Sequence, residues 1–321
     1  MADFDVFNGD ADGVCALVQL RLAEPRDAEL VTGVKRDISL LKRVSAGAGD
    51  RVTTLDISLD KNRDALHRLL EAGAQVHYVD HHYAGEIPDH PALTAHINPA
   101  ADVCTSLLVN GELKNRFVEW ALVGAFGDNL SVSARTLAGQ AALSDAELDQ
   151  LEELGIAMNY NGYGASPADL HFTPEALYRE AVQHRSPLGF LRDAPETSQT
   201  LIAGYKADMA SAESTPLDPA SNADAAFLIL PNAAWARRVS GVFGNALANA
   251  APDRAHAVLT QKDDGGFLVS VRAPLNRKAG ADTLCRQFPS GGGRAAAAGI
   301  NDLPADQFGT FVDAMKAQFA T

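Results

Sequence analysis

The sequence predicts an α/β protein of two lobes: an N-terminal doubly wound parallel sheet and a smaller C-terminal α/β domain, with the active site in the cleft. Three observations predict it. Short β-branched runs alternate with helical stretches over the first hundred residues, a second alternation begins near residue 225, and a stretch rich in Ala, Ser, Pro and Asp (207–224) separates them. At 321 residues the chain has room for two cores. In order, "FDVF" reads as a strand followed by a helix from about Gly13, and "AELVTGV" as a strand followed by a helix near 38–45. "RVTTLDI" is a strand followed by a helix from about Lys61, which stops at Gly73, where a helix C-terminal glycine belongs. "AQVHYVD" is a strand that runs into a loop, and from about 104 to 185 the periodicity is helical. Beyond the linker come an "AAFLIL" strand, a "WARRVSGVFGNALANA" helix, two strands joined by an Asp-Asp-Gly-Gly turn, the stretch "PSGGGRAAAAGI" and a closing helix. The expected divisions are 1–185 for the first domain, 186–220 for a helical and flexible linker, and 221–321 for the second domain.

Charge narrows the function. The formal net charge is -14, yet residues 221–321 hold 10 Lys+Arg against 8 Asp+Glu, while the first 220 hold 17 against 33. Such a balance argues against long duplex nucleic acid, which is held by a basic stripe that neutralises phosphates. An acidic lobe can still act on phosphates if its carboxylates hold divalent cations and the other lobe supplies arginines. No apolar run reaches the ~18 residues of a membrane span, and the start "MADFDVFNGD" lacks a basic leader, so a cytoplasmic protein without membrane partners is expected. Cys15, Cys104 and Cys285 lie far apart with no CxxC pair, which predicts reduced, buried thiols.

Acidic residues recur where strands end: Asp10 and Asp12 after the first, Asp56 after the third, and Asp80 with His81 and His82 after the fourth. In an open α/β sheet the carboxyl ends of the strands line the ligand crevice. With Asp128 in "GAFGDN", they form a set of hard oxygen donors joined by imidazole, suited to Mn²⁺ or Mg²⁺. Taken singly, each Asp reads as a turn or helix cap. Together they need counter-ions, since buried like charges otherwise take up protons or destabilise the fold. Two ions sharing Asp56 could clamp the attacking and leaving oxygens of a phosphoryl group.

"GDADG", "LDIS", "VDHH" and "FGDN", in that order, resemble the four motifs of the DHH phosphoesterase superfamily, and "SGGGRAAAAGI" with "VSVRAP" resembles its associated C-terminal domain. The resemblance spans nearly the whole chain and implies a binuclear phosphoesterase of the nano-RNase or nucleotide phosphodiesterase type, with two Mn²⁺ per chain and Mg²⁺ admissible. It implies metal ligation by Asp10, Asp12, Asp56, His81 and Asp128, with Asp56 bridging and catalytic. It places His82 on the scissile phosphate or the leaving oxygen, an order of the two histidines that the residues alone leave open. Gly291, Gly292 and Gly293 would present backbone N–H groups to the substrate, with Arg272 as a phosphate or base contact. Three departures stand out: Val6 where many relatives have His, Asn8 where the exonuclease branch has Asp, and Arg294 where the C-terminal signature has His. Asn8 is then a weak, neutral ligand, and Arg294 a stronger anion contact without an acid–base role. The expected activity is metal-dependent hydrolysis of short nucleotide substrates, such as oligoribonucleotides and linear dinucleotides. The alternatives are a 3′-phosphoadenosine-type phosphatase, a single-strand exonuclease and a non-catalytic nucleotide sensor. A homodimer is compatible with all of these.

Overall fold

The first strand shows how the sequence builds the sheet. In β1 (Asp3–Phe7) Phe4 and Val6 enter one apolar cluster and Phe7 enters another, as the two-residue period of a strand buried on both faces requires. The computed structural model describes residues 1–320 and divides the chain into two compact units, Met1–Tyr205 and Lys206–Thr321.

In the first unit β1 is followed by α1 (Ala11–Ala23), β2 (Glu29–Val31), β3 (Arg51–Leu55), α2 (Leu59–Glu71), β4 (Gln75–Asp80) and β5 (Leu93–Ile97). Seven helices follow: α3 (Thr105–Glu112), α4 (Val118–Gly127), α5 (Ser131–Ala138), α6 (Asp145–Asn161), α7 (Pro174–Ala181), α8 (Pro187–Asp193) and α9 (Pro195–Glu213), the last of which continues past the unit's end at Tyr205. The five strands are parallel in the order β2-β1-β3-β4-β5. The chain leaves β1 for one side and returns to the other, so the order reverses between β1 and β3, where the strands' carboxyl ends open a crevice. One face carries Phe7, Leu55 and Val79 against α1 and the buried Trp120, Phe126 and Met158; the other carries Phe4, Val52 and Tyr78 against Leu66 and Leu69 of α2. Each such side chain contributes about 1.5–3 kcal/mol when fully buried.

Two sequence expectations need correction. The helix near 38–45 is one short 3₁₀ turn, Leu40–Arg43. The loop expected after the fourth strand contains β5, an edge strand whose alternate residues are exposed, which is why "LTAHI" carries so weak an apolar signal. The segment 186–220, expected to be helical and flexible, holds α8 and α9 as far as Glu213.

The second unit holds β6 (Ala225–Leu230), α10 (Ala234–Ala250), β7 (Ala255–Gln261), β8 (Phe267–Arg272), α11 (Ala281–Cys285), β9 (Gly291–Arg294), β10 (Ala297–Leu303) and α12 (Phe308–Phe319). Its sheet runs β6-β7-β8-β10-β9, parallel only between β6 and β7. Phe227, Val271, Ile300, Phe311 and Met315 form its core. All three cysteines are free and buried. Among the described residues no helix is long and apolar enough to cross a membrane.

Candidate metal centre

The centre grows from the turn between β1 and α1. Asp10 caps α1: its Oδ1 accepts from the backbone N–H groups of Asp12 at 3.0 Å and Gly13 at 3.1 Å. The turn is tight enough that a Cβ on Gly13 would lie 2.3 Å from the Asn8 carbonyl oxygen, so only glycine fits. The other Asp10 oxygen, Oδ2, lies 2.6 Å from Lys35 Nζ. Burial works to raise the Asp10 carboxyl, but the charge and hydrogen bond of Lys35, with the Gly13 N–H, prevail and leave it lowered. Asn8 is turned to the backbone at both ends: its Oδ1 accepts from Asp10 N and its Nδ2 donates to the Lys35 carbonyl, each at 3.3 Å.

Asp12, on the first turn of α1, reaches across to the start of α3. Its two oxygens accept from the N–H groups of Thr105 and Ser106, both at 2.7 Å, and the Ser106 hydroxyl donates to it as well. Asp56 follows β3 with a backbone φ of 58°, the left-handed region that Asp tolerates better than most residues. It is 2% exposed and accepts from the Thr105 hydroxyl at 3.3 Å. Burial, and then the charges of Asp10, Asp12, Asp80 and Asp128, hold its carboxyl well above the usual range. Asp128, at the C-terminus of α4, is pushed up to about 6, first by burial and then by Asp12 and Asp10.

The two histidines after β4 do different things. His81 Nε2 lies 3.4 Å from Asp56 Oδ1, 3.7 Å from Asp128 Oδ2 and 3.9 Å from Asp12 Oδ2. His82 Nδ1 donates to Asp80 Oδ1 at 2.7 Å, and its side chain is 44% exposed. That hydrogen bond is the leading cause of a raised His82 pKa. The structure thus gathers two overlapping groups of donors about His81, one with Asp12 and Asp128 and one with Asp56 and His82; Asp10 faces Lys35 and lies beside Asp56, and Asn8 is turned to the backbone.

The donors fit a divalent cation. Atoms that each lie about 2.0–2.2 Å from one ion are ~3–4 Å from one another, the spacing seen around His81 Nε2. Asp80 Oδ2 is buried with no hydrogen-bond partner among the described residues, a further sign that this acidic cluster lacks positive charge. Asp10, Asp12, Asp56, Asp80 and Asp128 converge here against one ammonium, Lys35.

Sequence reasoning did not find Lys35, the orienting role of Asp80, or the Thr105–Ser106 cradle. The signal for Lys35 was present: it follows β2, the strand beside β1, where a cation for Asp10 would be sought.

In the second unit, Arg272 is tied down within the unit itself. Its guanidinium donates to Asn245 Oδ1 at 2.6 Å, Ser270 Oγ at 2.9 Å and the Gly241 carbonyl at 2.9 Å, joining β8 to α10. The Arg294 side chain on β9 is exposed, with no hydrogen bond or ion pair among the described residues. The three glycines differ. A Cβ on Gly291 would lie 1.8 Å from the Cys285 carbonyl oxygen, and Gly293 has a φ of 141°, whereas a Cβ on Gly292 would meet nothing within 4 Å. The unit's own packing therefore requires the first and third, and not the second.

No family model matches the sequence, and no curated protein does. The fold has solved counterparts. Exonuclease RecJ bound to manganese superposes with a TM-score of 0.64 at 18% identity, over 99% of this chain and 90% of that one. RecJ from Thermus thermophilus in complex with Mn²⁺ gives 0.61 at 18% identity, over 99% of this chain and 52% of the other. The pGpG-specific phosphodiesterase PggH from Vibrio cholerae gives 0.57 at 15% identity, over 99% of this chain and all (100%) of the other. These are proteins of the two-sheet α/β class defined above. This chain shares the α/β fold of these proteins, which agrees with the fold that the resemblance of its motifs implies.

Proposed function

We propose that the chain is a divalent-metal-dependent phosphodiesterase that hydrolyses short nucleotide substrates, oligoribonucleotides of a few residues or linear dinucleotides. The observation that carries the reading is the fan of Asp12, Asp56 and Asp128 oxygens around His81 Nε2. These four residues would hold Mn²⁺ or Mg²⁺, which when bound supplies Lewis-acid polarisation of a phosphoryl oxygen.

The chain's own groups supply the rest. Asp80 fixes the ring of His82 through Nδ1, which leaves Nε2 for the substrate, and the raised pKa favours the protonated form that donates to a leaving oxygen. The carboxylates around Asp56 repel a phosphate unless neutralised, so substrate and cation bind interdependently. In the second unit, Arg294 is free to form paired N–H···O bonds to a phosphate, and the open position at Gly292 lets a ligand approach the backbone. PggH is described as pGpG-specific, which agrees with a short substrate, as does the acidic balance of the first 220 residues.

The test is hydrolysis of synthetic linear dinucleotides with Mn²⁺ present. Turnover of dinucleotides faster than of long single strands is expected. Absence of turnover across dinucleotides, cyclic dinucleotides and mononucleotides would overturn the reading.

A further inference from the structure

We infer that Lys35 occupies the place of a second cation, so that the centre takes one divalent ion together with a built-in ammonium. The inference rests on the metal-dependent reading above and specifies the centre it needs.

A pair of ions requires two donor groups that share a carboxylate. The structure provides two overlapping groups, Asp12–His81–Asp128 and Asp56–His81–His82, which share an imidazole rather than a carboxylate and so serve one ion at a time. Asp12, Asp56 and Asp128 gather about His81 Nε2. The donors left for a second ion are Asp10, which also lies beside Asp56, and Asn8, and both are engaged by other partners. Asp10 Oδ2 is 2.6 Å from Lys35 Nζ, while Oδ1 accepts two backbone N–H groups at 3.0 and 3.1 Å. Asn8 bridges Asp10 N and the Lys35 carbonyl, and Val6 is an apolar residue with no exposed surface.

Lys35, in contrast, is held in a formed socket. Its Nζ donates to Asn159 Oδ1 at 2.9 Å and lies 3.7 Å from Asp128 Oδ1. Its backbone N–H donates to the Gly162 carbonyl at 2.8 Å, and the Tyr163 ring centroid is 5.7 Å from Nζ. An ammonium is a compact, strongly hydrated charge, and here Asp10 and Asn159 replace part of its hydration shell. One positive charge is thereby placed between Asp10 and Asp128, without any ion being recruited there.

Mn²⁺ counting after equilibrium dialysis, with electron paramagnetic resonance on the same samples, tests this. The wild-type chain should hold one Mn²⁺ with the six-line signal of an isolated ion. Lys35→Met keeps the length of the side chain and removes its charge; it should free Asp10, lower the apparent Kd for a second ion at least tenfold, and give an exchange-coupled spectrum. Lys35→Arg, which keeps the charge, should stay at one ion. Two coupled ions in the wild type would overturn this inference alone, and so would a single ion in a folded Lys35→Met. No bound Mn²⁺ in the wild type would overturn both the inference and the metal-dependent reading. The wild-type spectrum decides even if a variant fails to fold.

Discussion

Asp5 and Asp10 lie five residues apart, on β1 and just beyond its end, and both are almost wholly buried. Asp5 is matched: Arg21 donates to its two oxygens at 2.7 and 2.5 Å and to Thr53 Oγ1 at 3.0 Å, all on the α1 face of the sheet. Asp10 is one of five carboxylates at the other end, where Lys35 provides one ammonium. A matched buried pair needs no other charge. A surplus of carboxylates raises its own pKa values, as Asp56 and Asp128 show, until cations arrive. The difference separates a part of the sheet whose buried charge is balanced from one whose buried charge is not.

The comparison breaks most visibly at the matched end. Asp5→Asn leaves the Arg21 guanidinium buried beside a neutral amide and should cost about 3–5 kcal/mol of stability, read from urea unfolding, with Mn²⁺ binding by the folded fraction unchanged. A loss below ~1 kcal/mol would mean the pair is not structural. At the surplus end, His82→Ala should keep the metal and lower kcat by roughly 10²–10³, as removal of a general acid does, whereas His81→Ala should lose the metal. Equal metal loss in both would undo the division of roles.

A third way of managing charge appears in the second unit. His256 is 3% exposed, its Nδ1 lacks a partner among the described residues, and burial, then the Arg254 charge, lowers its pKa to about 4. The unfolded chain, with a His pKa of ~6.5, binds this proton first. Stability should therefore fall as pH drops from ~6.5 toward 4, by on the order of 1–2 kcal/mol between pH 7 and 5 beyond the loss shown by His256→Gln. Identical pH profiles for the two chains would contradict it. The smallest effect belongs to Arg294: Arg294→Ala should raise KM for a dinucleotide about tenfold, with kcat and metal content held, because a charge-assisted contact is lost. An unchanged KM would reduce Arg294 to a solvated side chain.

The parallel sheet, its helical half and the second α/β unit were legible because buried strands and amphipathic helices carry strong periodicities. β5 was not, since an edge strand needs only half an apolar pattern. Asp12, Asp56, His81 and Asp128 were legible as strand-end and helix-end acids and imidazole, and in the structure the three carboxylates each have an oxygen within 3.9 Å of His81 Nε2. What the sequence hid was partnership across long separations. Lys35 stands after the strand beside β1, but its meeting with Asp10 and Asn159, like that of Thr105 with Asp12, is made by tertiary packing. The same holds for Arg272, whose residue type suits an anion but whose donors join β8 to α10.

The central claim, that surplus charge at the carboxyl end of the sheet is a cation site, is tested most directly by the melting temperature of metal-free protein with and without Mn²⁺. Asp56→Asn is the informative partner, because Asn also tolerates the positive φ at this position. With Mn²⁺ at about 100 times its Kd, wild type should gain ~2.7 kcal/mol, a rise of roughly 4–6 °C. Metal-free Asp56→Asn should melt above metal-free wild type, because the cost of holding this carboxyl among its neighbours, as repulsion or as proton uptake, is gone, and it should gain little from Mn²⁺. A wild type indifferent to Mn²⁺, or an Asp56→Asn chain that melts lower without metal and responds to it fully, would contradict the account.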